Sequence, residues 1–234
     1  MTGATLNLAV AGLALLAVHF GLSSTGLRER LAERLGESAY LGLYSLIAAA
    51  QFVWLIWAYV TASPGVLLWS AYPWGNYLTI VLMPLSLVLL VGGVTMRNPT
   101  AVGGHGQLDD PVPARGVLRI TRNPVMWGIG LWALGHLIAN GDAASVLFFG
   151  TLAVLALLGS MLIDLKHRTR KGATFASFEL ATSNLPFVAM MQGRQSLGRA
   201  MKEFGAARLA LVVVLYALLL HGHAWLLGVS PIPG

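Results

Sequence analysis

The stretch Arg115 to Asp142, RGVLRITRNPVMWGIGLWALGHLIANGD, decides how the rest of the chain is read. It opens with three arginines, Arg115, Arg119 and Arg122, and breaks at Pro124. It then runs through Trp127, Trp132 and His136 as an apolar segment and stops at Asn140-Gly141-Asp142. Proline suits a first helical turn, where its missing N–H has no intrahelical partner to lose. A basic loop therefore feeds a short apolar helix, and that helix carries an imidazole.

Outward from this stretch the chain is as apolar as the helix. Of its 234 residues 56% are hydrophobic and only 10% charged, with a mean hydropathy of +0.72. A soluble domain carries roughly 25% charged residues, so this composition cannot wet a surface and predicts an integral membrane protein. The chain has no cysteine, which excludes disulfides, thiolate metal ligands, a catalytic thiol and a covalently attached c-type haem. No Lys or Arg precedes the first apolar run and no small-residue cleavage pattern follows it. It reads as a retained span rather than a cleaved signal peptide.

Hydropathy divides the chain into six predicted spans. They run over about Ala4 to Ser24, Ala39 to Thr61, Trp74 to Met96, Pro124 to Asn140, Ala143 to Leu165 and Ala207 to Val229. Most reach the ~20 apolar residues a bilayer needs; the fourth is short. The fold predicted is an all-α, polytopic bundle of six transmembrane helices forming one domain over residues 1–234. Thr25 to Glu37 and the polar segment Lys166 to Gly205 are expected along the membrane surface, with Phe175, Phe178, Leu180, Leu185 and Phe187 dipping into the interface.

All 15 Lys and Arg residues fall between spans one and two, three and four, or five and six. By the positive-inside rule those loops face the cytoplasm and both termini face the other side. The same segregation accounts for the net charge of +6 and the pI of about 10.1. It points to a lipid bilayer as partner and excludes nucleic acid.

An ionisable side chain inside a span is costly, which makes it a functional candidate. His19, His136, His221 and His223 lie within spans, and Asp164 lies near the end of one. Neutral imidazole is a common metal ligand, and two opposed imidazoles can hold a haem iron. The competing reading is a ring bonded to a nearby backbone carbonyl. His221 and His223 project from different helix faces and make a poor chelate. His105 and His167 read as solvated loop residues, and Gly103-Gly104-His105-Gly106 as a flexible loop rather than a phosphate cradle. Arg115, Arg119 and Arg122 form either an anion clamp for a lipid headgroup, haem propionates or a nucleotide, or plain positive-inside charge. Trp127 and Trp132 read as packing or anchoring residues.

The blocks VHFGLSSTGLRERL, LGLYSL, RNPTAVGG, RITRNPVMWGIGLWALGHLIANGD, IDLKHR, TSNLPF and HAWLLGVSPIP, in this order, resemble the NnrU family over nearly the whole chain. The resemblance implies a bacterial inner-membrane protein associated with denitrification. That family is related to zeta-carotene isomerase, a haem b membrane enzyme, and this implies haem b held by His19 and His136. Two positions depart from the related pattern. Asn123 stands where the block normally reads Arg-His-Pro, and Ala133 stands where the isomerase has a cysteine three residues before its second ligand. A more distant similarity to isoprenylcysteine carboxyl methyltransferase implies S-adenosylmethionine at the loops around Arg119 and Arg122, with Asp164 or Glu179 as the acid.

The expected function is haem-based redox or nitric-oxide-linked chemistry, or isomerisation of an apolar, lipid-like substrate. The alternatives are an S-adenosylmethionine-dependent enzyme and a non-enzymatic assembly factor with a respiratory or denitrification partner. His19 and His136 are expected to differ in height by roughly 10 Å at 1.5 Å per residue. His223 is the alternative partner for His136.

Overall fold

A computed structural model describes residues 3–101, 104, 108 and 114–234. His105 and most of its glycine-rich loop lie outside the described residues. The chain is helical: α1 (Gly3–Ser24), α2 (Gly26–Leu35), α3 (Glu37–Thr61), α4 (Trp74–Thr95), α5 (Pro124–Ala139), α6 (Ala143–Ala181), α7 (Val188–Met191), α8 (Leu197–Phe204) and α9 (Ala206–Leu227). Among the described residues the extended backbone amounts to an isolated bridge between Leu67 and Asp142.

Five helices, α1, α3, α4, α6 and α9, are long and apolar enough to cross a membrane, and the chain is a multi-pass membrane protein. The expectation of six spans meets a shorter α5, whose 16 residues rise about 24 Å. Pro124 occupies the first turn of α5, as its missing N–H predicts.

The helices pack as a row. α1 lies against α3 and α6, α6 against α5, α5 against α4, and α4 against α9. In lipid the hydrophobic effect does not drive helices together, so small residues and interhelical hydrogen bonds must. The α4–α5 contact has both: Gly128 and Gly135 are buried on α5, and their carbonyls accept from Ser86 Oγ and Thr79 Oγ1 at 2.7 Å each. Leu8, Leu15, Leu55, Ala133, Phe148 and Phe149 form a core shared by α1, α3, α5 and α6.

The segment after Leu165 departs from expectation. Rather than ending in a surface segment, α6 continues to Ala181 with a break at Gly172, where φ is 45° and ψ −120°. Positive φ of this kind favours glycine. Arg168 pairs with Glu179, eleven residues on, which a straight helix would hold about 16 Å apart; the chain therefore turns back on itself at Gly172. The His167 ring stacks on Phe175 with centroids 5.0 Å apart. Phe175 and Phe178 are fully buried and pack with Leu108, Ala114 and Leu118. These two phenylalanines and His167, expected at the interface or in solvent, thus lie in a small core of their own, because the fold-back lets the rings cover one another. Leu180 and Leu185 are exposed.

Candidate functional site

Two regions carry the polar chemistry. The first lies at the end of the bundle where the basic residues gather, which the bonds from Lys166 Nζ to Ser23 O and from Arg208 Nε to Thr95 Oγ1 tie together. Its centre is Asp164, 4% exposed inside α6. Asp164 Oδ2 accepts from Arg122 Nε at 2.9 Å and from Asn184 Nδ2 at 2.8 Å, and its Oδ1 accepts from Asn123 Nδ2 at 2.8 Å. Arg122 also reaches Glu179 at 3.0 Å. Asn184 Oδ1 accepts from Trp127 Nε1 and Ser160 Oγ. A carboxylate this deep is tolerable only when charge and hydrogen bonds compensate it, and here one guanidinium and two amides do so.

Local backbone geometry holds this cluster in place. The TSNLPF turn docks on the loop before α5: Arg122 N donates to Ser183 O and Phe187 N to Ile120 O, both at 2.9 Å. Phe187 takes a left-handed conformation at φ 66°. Beside this turn Arg119 donates from Nε and Nη2 to the two oxygens of Glu203, at 2.8 and 2.7 Å, and from Nη1 to Gln195 at 2.6 Å. The Arg119 guanidinium bonded to Glu203 holds that carboxyl below the usual carboxylate range. Arg119 and Arg122 are 8% and 6% exposed and already face carboxylates of the chain itself. That is a structural clamp, and it accounts for their burial without an external anion.

The second region is the pair of intramembrane imidazoles. His136 Nδ1 lies 2.8 Å from Trp132 O, and His19 Nδ1 lies 3.1 Å from Leu15 O. A carbonyl only accepts, so in each ring Nδ1 carries the proton and donates it. In the neutral ring the lone pair then resides on Nε2, the arrangement that orients metal-binding histidines. The His136 ring stacks on Phe149 at 5.1 Å and lies 5.0 Å from the Trp132 ring. His19 instead meets Tyr44 of α3, edge to face at 5.8 Å. His223 Nδ1 donates to Val229 O at 2.8 Å.

The depths of the two rings follow from α6. A Cβ on Gly12 would meet Thr151 Oγ1 at 2.6 Å, so Gly12 of α1 and Thr151 of α6 are level, and His136 stacks two residues away from Thr151, on Phe149. His19 lies seven residues beyond Gly12 in the opposite sense. Its offset from His136 along the bundle is on the order of 10 Å. Two ligands on opposite faces of one metal stand roughly 4 Å apart, twice a metal–imidazole bond of about 2 Å. Each ring alone therefore fits a metal ligand, but this arrangement does not bring His19 and His136 onto one iron. Among the described residues no group of three or more His, Asp or Glu side chains converges as a metal site.

Position 133, where the related isomerase has cysteine, holds a fully buried alanine. Asn184, Ser160, Gln195 and Glu203 were not legible as site residues in the sequence. The usable signals were the TSNLPF block and the polar pair Ser160 and Asp164, one helical turn apart within an apolar helix.

A family model described as NnrU protein matches residues 7–231. The chain is similar to 15-cis-zeta-carotene isomerase, chloroplastic, of Zea mays, with 36% identity over 90 residues, which are 38% of this chain and 25% of that protein. The corresponding Arabidopsis thaliana protein is 35% identical over 82 residues, 35% of this chain and 22% of that protein. The matched stretch thus spans about a quarter of the length of these curated relatives. No solved structure matches.

Proposed function

The chain belongs to the NnrU protein family, and from that premise we propose that it is a membrane-embedded, isomerase-type enzyme that acts on an apolar substrate and binds haem b. The relatives named as 15-cis-zeta-carotene isomerase motivate the reaction class. The observation that carries the cofactor is the state of His136: its Nδ1 is tied to Trp132 O and its ring is boxed by Trp132 and Phe149. The Nδ1–H bond sets the tautomer and leaves the lone pair on Nε2, and the two aromatic rings lie against the imidazole. Bound there, haem b supplies a redox-active iron. The second ligand is His223, or His19 if the helices shift along one another.

In this reading α5 completes six crossings. The loops bearing Arg28, Arg119, Arg122 and Lys166 face the cytoplasm of a bacterial inner membrane, and both termini face away from it. Arg119 and Arg122 hold the loops that carry α5 and so position His136 indirectly.

Protein purified from haem-replete cells should show a Soret band that His136→Ala abolishes. His223→Ala and His19→Ala identify the second ligand by which of them shifts the band. A colourless, metal-free preparation would overturn the cofactor. Absence of isomerisation of any polyene by the coloured protein would overturn the reaction class.

A further inference from the structure

The connection between α3 and α4 is apolar where a connection in water is usually polar. No Asp, Glu, Lys or Arg stands between Glu37 and Arg97, and residues 63–70 are exposed throughout. Val66, Leu67 and Leu68 are 71%, 64% and 57% exposed. Leu67 pairs with Asp142 in the isolated bridge, so the chain is extended here and successive side chains point to opposite sides. The protein therefore covers neither side of this segment.

The backbone of the same segment is tied down. Leu68 N donates to Gly141 O at 2.7 Å, Ala143 N to Val66 O at 3.0 Å and Ala144 N to Pro64 O at 3.1 Å. Trp69 Nε1 donates to Ile138 O at 3.1 Å, a carbonyl in the last turn of α5 that the helix itself leaves without a partner. A Cβ on Gly141 would lie 2.0 Å from Trp69 O, so glycine is what lets the two segments lie this close. Residues 64–69 thus form a strap over the end of α5 and the first turn of α6. The strap is level with the ends of three spans: Thr61 closes α3, Trp74 opens α4 and Ala143 opens α6. It covers the one apolar helix of the row that is too short, at 16 residues and about 24 Å, for the ~30 Å hydrocarbon core.

We propose that this strap is seated in the bilayer, with Val66, Leu67 and Leu68 entering the boundary between headgroups and acyl chains at this end of the bundle. Non-helical backbone is tolerated at membrane depth where the protein satisfies its polar groups, and the bonds to Gly141, Ala143 and Ala144 do this for Leu68, Val66 and Pro64. The surroundings select lipid over a soluble protein as the occupant. A protein interface has a polar rim, whereas the strap is flanked by exposed Trp57 and Val60 on α3 and by exposed Trp74 and Tyr77 on α4. Tryptophan and tyrosine are the residues enriched at the headgroup level. The seat rests on the spans α3, α4 and α6, and on neither haem nor the direction in which the chain crosses the membrane.

The chain has no cysteine, so a single introduced thiol carries a unique fluorophore. The test labels Leu67→Cys with an environment-sensitive dye in the full chain, purified and reconstituted in phosphatidylcholine–phosphatidylglycerol vesicles. Two quenchers are compared: a lipid bearing a nitroxide high on its acyl chain, and aqueous iodide. Leu46→Cys, exposed within α3, and Glu33→Cys, exposed on the polar α2, are the lipid and water references. The expected result is stronger quenching by the lipid nitroxide than by iodide at Leu67, as at Leu46, with the order reversed at Glu33. Equal quenching by the two, stronger quenching by iodide, or shielding from both would overturn the proposal. A strap that instead docks a protein would be quenched by iodide here, because the purified sample holds no partner. Leu68→Cys is read by the same criterion should Leu67→Cys fold poorly.

Discussion

The Asp164 clamp and the His136 niche contain comparable amounts of polar chemistry and use it in opposite ways. Around Asp164 both carboxylate oxygens meet donors from a guanidinium or an amide. Around His136 the protein satisfies one ring nitrogen with a carbonyl and surrounds the ring with aromatic groups. A closed network fixes loops; an imidazole held among aromatic rings keeps one nitrogen lone pair outside any such network. Charge alone is therefore a poor guide to function here. The arginines are the conspicuous residues in the sequence, and their geometry is that of scaffolding.

The comparison breaks first at Asp164. Asp164→Ala leaves the buried guanidinium of Arg122 without its principal partner and frees two amides. Removing one member of a buried pair costs about 3–5 kcal/mol, so this variant is expected to melt far below wild type or to fail to yield folded protein. An unchanged melting temperature would make the clamp dispensable.

A smaller effect is expected at Glu203, whose side chain is 31% exposed against 10% for Arg119. Glu203→Gln should cost about 1 kcal/mol near neutral pH, after allowance for screening. Its pH dependence has a definite sign. The folded-state pKa of Glu203 is depressed, so its contribution is present above the unfolded carboxylate value and is lost as pH falls through the folded value. Melting curves of wild type and Glu203→Gln should converge on acidification; a gap that widens would contradict the assignment.

The smallest effect belongs to Arg168, 56% exposed in its pair with Glu179. Arg168→Ala should lower stability by under about 1 kcal/mol, because the buried Phe175 and Phe178 hold the fold-back at Gly172. A large loss would transfer that role to the ion pair.

Much of this division was legible in the sequence, and the reasons differ by residue. The spans, the Pro124 start and the segregated basic residues follow from composition and hydropathy, which are local. His136 stood out because an imidazole in an apolar helix is conspicuous. The partners of Arg122 were not legible, since Asp164 lies 42 residues away and Glu179 57. Only the fold-back at Gly172 brings Glu179 round to meet Arg122. Phe175 and Phe178 were misplaced for the same reason: their spacing fits a surface helix as well as a buried one. The depth mismatch of His19 and His136 was visible as a count of residues, and the packing of Gly12 on Thr151 gives it a level.

The most direct test of the division is the absorbance spectrum of His136→Ala beside that of Glu203→Gln, both purified from haem-replete cells and checked for folding by melting temperature. The account predicts a Soret band in Glu203→Gln equal to that of wild type, and none in a His136→Ala protein that melts normally. A band that survives in His136→Ala, or one that disappears in a folded Glu203→Gln, would contradict it.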